Sequence, residues 1–209
     1  MPEHLLHGYS RFRTKYFAGE RDYLLRLATE GQRPSALYVG CCDSRVIPEL
    51  LTHSAPGELF VVRNIANQVP ELEHADASVG AAVEYAVAHL QVRHAIVCGH
   101  YGCGGVKAAL AGREALRSLP SLYEWLEGIE PAIARVPAAQ RDSDDGFRMA
   151  VEENVPLQMD RLITFEPVRK ALGEERLQLH GWIYDLTTAR LLVYDVESDR
   201  FVYAQELAG

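Results

Sequence analysis

The sequence predicts an α/β fold: a central, mostly parallel β-sheet with an antiparallel edge, flanked by helices and preceded by an N-terminal helical arm. Three observations predict it. The apolar, β-branched runs Ala36-Leu37-Tyr38-Val39, Leu59-Phe60-Val61-Val62 and His94-Ala95-Ile96-Val97-Cys98 have the length and composition of buried strands. Segments of helical character lie between and after them, which favours parallel pairing through crossovers. Near the end, the runs Leu177-Gln178-Leu179-His180-Gly181-Trp182-Ile183-Tyr184 and Leu191-Leu192-Val193-Tyr194 flank a Thr187-Thr188-Ala189 turn, and a hairpin there makes the antiparallel edge.

A chain of 209 residues with 48% hydrophobic content supports one domain with a substantial core. We divide it into a helical arm (1–30), an α/β core (31–195) and a C-terminal tail (196–209). The formal net charge is -8, and there is no Lys/Arg stripe of the kind that binds nucleic acid. No apolar stretch approaches the roughly 18 residues of a membrane span. The start, Met1-Pro2-Glu3-His4-Leu5-Leu6, lacks the charged head and long apolar centre of a signal peptide, so the expected compartment is cytoplasmic. Neither nucleic acid nor membrane is an expected partner. Four cysteines (Cys41, Cys42, Cys98, Cys103) gather at strand ends, a pattern of metal binding or catalysis more than of disulfides.

Taken in order, residues 5–29 carry Phe12, Tyr16, Tyr23, Leu24 and Leu27 at helical spacing, with Gly8 and Gly19 dividing the run into two helices. The arm packs either on a neighbouring subunit or on its own sheet. Val46-Ile47-Pro48-Glu49-Leu50-Leu51 suggests a short helix after the first strand, and Ser78 a cap for an Ala-rich helix over 79–90. The segment 106–111 suggests another helix. From 112 to 146 helical sequence is broken by Pro120, Pro131 and Pro137, and 149–172 is helical with breaks at Pro156 and Pro167.

Two loops organise the whole. Gly40-Cys41-Cys42-Asp43-Ser44-Arg45 follows the first strand, and Gly99-His100-Tyr101-Gly102-Cys103-Gly104-Gly105 follows the third. In open α/β sheets both open at the carboxyl ends of the strands, where ligands bind. His100-x-x-Cys103 supplies two ligands from one loop, and Cys41 a third across the crevice; Asp43 or Cys42 is available as a fourth. Zinc takes thiolate and imidazole ligands tetrahedrally, and a catalytic site keeps one position open. A lone His-x-x-Cys is weak evidence. The adjacent Asp43-Ser44-Arg45 strengthens it, because a saturated structural zinc has no use for a carboxylate–guanidinium pair.

Together, Cys41-x-Asp43-Ser44-Arg45 and His100-x-x-Cys103-Gly104-Gly105 resemble the β-class carbonic anhydrases. The resemblance extends through Gly57-Glu58-Leu59-Phe60-Val61-Val62-Arg63-Asn64-Ile65-Ala66-Asn67, Glu84-Tyr85-Ala86-Val87 and His180-Gly181-Trp182-Ile183-Tyr184, over residues 32–184. It implies reversible hydration of carbon dioxide to bicarbonate and a proton, by a zinc-bound hydroxide that Asp43 and Arg45 orient. By position, Cys41, His100 and Cys103 are the implied zinc ligands, one Zn2+ per subunit, with Asp43 and Arg45 as the catalytic dyad. Gln32, Phe60, Ile65, Tyr85 and the backbone of Gly104 are the implied substrate-binding positions. His89 is the implied proton relay, with a surface histidine as the plainer alternative. The resemblance also implies a homodimer or homotetramer with active sites near the subunit interface.

Some members of that family close when the aspartate swings onto zinc, aided by bicarbonate in a pocket of Trp, Arg and Tyr. This chain has Arg63 and Tyr184 at those positions and Tyr38 in place of the Trp. Two other functions compete with the main expectation. One is hydrolysis of carbon disulfide or carbonyl sulfide on the same scaffold, which the motifs do not distinguish. The other is a zinc-stabilised interaction domain, against which the Asp43–Arg45 pair argues.

Overall fold

The six strands form one sheet in the order β2-β1-β3-β4-β5-β6, seen in a computed structural model that describes residues 2–71 and 76–207. β1 (Ala36–Cys41) lies between β2 (Leu59–Asn64) and β3 (His94–His100), and pairs parallel with both. β3 pairs parallel with β4 (Gln178–Asp185). β5 (Arg190–Asp195) and β6 (Arg200–Tyr203) then add antiparallel rungs. The expected mixed sheet is present, with one more strand than the sequence predicts. β6 falls in the segment assigned to a C-terminal tail, so the sheet extends beyond residue 195. Its four residues begin with an arginine and are too few to show an alternating pattern.

Pairing carries two strands further than expected. Gly40 sits opposite Cys98 and Cys41 opposite Asn64, while His100 sits opposite Tyr184. Cys41 and His100 are therefore the last residues of strands rather than loop residues. Their backbones are fixed by neighbouring strands.

The arm is helical throughout. α1 (Glu3–Arg11) continues through a π-helical segment (Phe12–Tyr16) into α2 (Phe17–Gly19), and the chain turns at Glu20 before α3 (Arg21–Glu30). Gly8 does not divide it: glycine costs a helix about 1 kcal/mol, which does not forbid it. α3 is tied to the body by Tyr23, whose hydroxyl donates to the Pro56 carbonyl at 2.7 Å. Leu27 lies against Gly57, which has φ +91° and whose missing Cβ would come within 2.9 Å of Leu27. The first half of the arm leaves Leu5, Leu6, Tyr9, Phe12 and Tyr16 exposed.

Helices between the strands start where the sequence supplies caps. α4 (Pro48–Thr52) has its proline in the first turn, as do α7 (Pro120–Trp125) and α8 (Glu130–Arg135). α5 (Ala77–Glu84) runs into a π-helical turn (Tyr85–His89), and its cap is Asp76 rather than Ser78: the Asp76 carboxylate accepts from the Ser78 and Val79 amides. α6 (Gly104–Leu110) begins directly after Cys103. α9 (Asp144–Thr164) runs straight through Pro156, where the sequence predicts a break. Residues buried on both sides of Pro156 hold the helix in register despite the lost amide donor. Pro167 instead opens α10 (Glu166–Gly173), and α11 (Ala204–Leu207) follows β6.

The main core packs one sheet face, with Leu37, Val39, Val97 and Ile183, against Val83, Val87, Val151, Val155 and Leu162 of the helices. A smaller cluster of Ala36, Tyr38, Ile96 and Cys98 covers part of the other face. Among the described residues no helix is long and apolar enough to cross a membrane.

Candidate metal centre

Parallel strands deliver their carboxyl ends to the same side, so β1 and β3 place Cys41 and His100 next to each other. Cys103, the residue capping α6, turns back onto them. Their ligand atoms all lie within 4.8 Å of one another, and all three residues are buried. The two sulfurs are 3.9 Å apart. Tetrahedral zinc with bonds of about 2.3 Å to sulfur separates two thiolates by about 3.8 Å. His100 points its Nδ1 at the Tyr101 carbonyl, 3.2 Å away, while its Nε2 is buried without a partner among the described residues. An orphaned buried nitrogen costs about 1–3 kcal/mol, a cost that bonding to a cation removes. The hydrogen bond from Cys103 pulls the Cys41 thiol down to about 4, so one sulfur of the pair ionises readily. The donor set fits zinc.

Asp43 borders this group, its Oδ2 3.9 Å from His100 Nε2. Arg45 grips it in a fork, Nε to Oδ1 at 2.9 Å and Nη2 to Oδ2 at 2.7 Å, and Arg45 also donates from its backbone to Oδ1. These bonds hold the Asp43 carboxyl well below the usual carboxylate range. The fork itself is anchored, since Arg45 Nη2 donates to the Gly102 carbonyl at 3.1 Å. Arg63 ties the loop from below through the carbonyls of Cys41, Asp43 and Val46. Those three bonds commit Arg63, and Tyr38 fills the interior beneath the sheet, fully buried. Cys42 is exposed and stands outside the ligand group, lining a pocket with Arg63, Ile65 and Trp125.

A family model described as carbonic anhydrase matches residues 36–191, the span that holds all three ligand candidates and the dyad. The chain belongs to the β-carbonic anhydrase family. A carbonic anhydrase of Pseudomonas aeruginosa is 41% identical over 203 residues, covering 97% of this chain and 91% of that one. One from Synechococcus elongatus is 37% identical over 190 residues, covering 90% and 70%. The solved β-carbonic anhydrase CcaA superposes with a TM-score of 0.93 at 37% identity, covering 97% and 92%. A structure described as a tetrameric β-carbonic anhydrase from Sordaria macrospora gives 0.82 at 29% identity, over 91% and 95%.

The residues expected to line the substrate pocket fall into two groups. Ile65 and Gly104 lie at the metal end. Ile65 packs so closely on α6 that a Cβ at Gly105 would come within 2.6 Å of it. Phe60, Tyr85 and His89 form an aromatic row, with centroids 5.8 and 4.7 Å apart. That row is at the opposite end of the strands: Phe60 pairs with Leu37, four rungs from the Asn64–Cys41 rung, or about 13 Å. Gln32, in the loop before β1, is at that far end too. Within one chain the structure does not bring Gln32, Phe60, Tyr85 or His89 to the metal centre.

Sequence reasoning missed the residues that shape the Ile65 loop. Ala66 and Asn67 both take left-handed backbone, φ 63° and 47°, which residues with a Cβ adopt only where surroundings enforce it. Asn154 of α9 donates to the Ala66 carbonyl at 3.1 Å, and Gln158 accepts from the Val69 amide at 2.7 Å. Trp125 holds the Ile65 carbonyl at 2.8 Å. The available signal was a pair of amides at i and i+4 on an otherwise apolar helical face.

Proposed function

We propose that the chain hydrates carbon dioxide reversibly to bicarbonate and a proton, with one zinc held by Cys41, His100 and Cys103 and with Asp43 and Arg45 as the catalytic dyad. The observation that carries this reading is the pairing of three buried ligands with a forked carboxylate beside them. Zinc, when bound, supplies a hydroxide nucleophile near neutral pH by lowering the pKa of water. Asp43 accepts the nucleophile's hydrogen bond and so aims its lone pair at carbon. Arg45 keeps Asp43 ionised and fixed through charge-assisted bonds. In this reading Ile65 supplies an apolar wall suited to an apolar substrate, and the Gly104 amide, in the first turn of α6 after Cys103, donates to the product's oxygen.

We further assign a homo-oligomer in which Gln32, Phe60, Tyr85 and the relay candidate His89 serve the metal centre of a neighbouring copy. Three observations support it: these residues lie far from their own centre, the first half of the arm exposes an apolar row, and the Sordaria relative is described as tetrameric. Free thiols kept as ligands suit a reducing compartment, and we assign the cytoplasm.

Stopped-flow measurement of carbon dioxide hydration by the zinc-loaded protein tests the function. Hydration should rise with pH across the ionisation of the nucleophile. Asp43→Asn should retain zinc yet lose about 10²-fold or more in turnover, the scale of a positioned proton acceptor. Absence of hydration at one zinc per chain overturns the reading.

A further inference from the structure

We propose that Tyr101 is a positioning residue for the metal centre: one turn of α9 clamps it so that its carbonyl fixes the tautomer of His100. The proposal rests on the zinc assignment above. An imidazole that donates from Nδ1 presents a lone pair at Nε2. A carbonyl can only accept, so the 3.2 Å contact from His100 Nδ1 to the Tyr101 oxygen makes Nε2 the ligand atom. That carbonyl is followed by Gly102, whose φ of +83° gives the next peptide little restraint of its own.

The restraint comes from Tyr101 itself. Its amide donates to the Tyr184 carbonyl at 3.0 Å, which continues the β3–β4 ladder. Its hydroxyl donates to the Glu152 carboxylate, and the Arg148 guanidinium lies 3.8 Å over its ring. Arg148 and Glu152 stand at i and i+4, so a single turn of α9 holds the ring by its face and by its tip. The residue on the other side of His100 is seated on the same helix. A Cβ at Gly99 would lie 2.9 Å from Val155 and 3.4 Å from Val151. Both neighbours of the ligand thus rest on residues 148–155. Tyr101 is buried, and neither solubility nor the dyad accounts for a guanidinium and a carboxylate both spent on it.

The test compares Tyr101→Phe, which keeps the ring and the cation–π contact, with Glu152→Ala and the conservative Glu152→Gln. Zinc dissociation constants come from competition with a chromophoric chelator, and ligand geometry from the visible absorption of the cobalt(II)-loaded protein. Tyr101→Phe and Glu152→Ala should each weaken zinc by about 10-fold or more and shift the cobalt bands, as for other groups that orient a ligand. Glu152→Gln, which still accepts the hydroxyl, should restore affinity to within about threefold of the parent. Variants that melt earlier yet hold zinc within about twofold, with unaltered cobalt bands, make Tyr101 a purely structural contact and overturn the proposal alone. A parent protein that fails to load one zinc per chain overturns the metal assignment and this proposal with it.

Discussion

Asp43 and Arg45 are two residues apart in the chain, and their fork closes locally through two side-chain bonds and one backbone bond. Because the folded carboxyl is held below its ordinary range, its contribution to stability is complete above the unfolded value of about 4. It is lost as pH falls through the lower folded value. The stability difference between the parent and Arg45→Met, from urea titrations, should therefore stay constant between about pH 8 and 5 and shrink below about pH 4. Proximity along the chain makes this pair legible from the sequence alone. Tyr101 and Glu152 lie 51 positions apart, and nothing in the local pattern at either residue announces the other. The same holds for Asn154 and Ala66, whose contact joins a helix to a strained turn far upstream.

At the scale of elements, the strand ends do the positioning and glycines admit what must come close. Gly105 is one such case at the centre, with Ile65 Cγ2 at 2.6 Å and Ala66 Cβ at 3.2 Å from where a methyl would stand. Gly105→Ala should destabilise by about 1–3 kcal/mol through overpacking, read as a lower midpoint in denaturant. Displacement of Ile65 should lower hydration more than zinc content, which elemental analysis checks. Most strands were legible because buried parallel strands are near-continuous apolar runs. Their last residues were not, because Gly40, Cys41, Gly99 and His100 have no strand propensity and are held by register alone. Pro156 misled for a related reason: the local cost of proline was visible, and the tertiary packing that outweighs it was not.

For the whole molecule, strand direction and register put the ligand candidates and the aromatic row at opposite ends of the strands. A chain truncated to residues 31–209 should sediment as a smaller species than the parent and still take up one zinc. Its hydration should fall steeply if, as proposed, a second copy supplies Gln32, Phe60, Tyr85 and His89, since losing that copy withdraws those residues and leaves Cys41, His100 and Cys103 in place. Retained activity in a monomeric truncation would show that one chain suffices. The family motifs made fold class and the buried Cys41–His100–Cys103 group legible together, since strand and loop alternate in a fixed order. They imply a set of substrate-lining positions without saying that one chain separates those positions by the length of its strands.

Cys41 and His100 end two central strands that are already held in register by their neighbours. Most of the hydrophobic core is packed by residues other than the three ligands. On the zinc assignment proposed above, the cation would therefore join a scaffold packed largely without it, unlike the metal of a small finger domain that collapses when it is removed. On that assignment a chelator should remove the metal and the hydration together while leaving far-UV circular dichroism unchanged, and added zinc should return the activity to the same molecules.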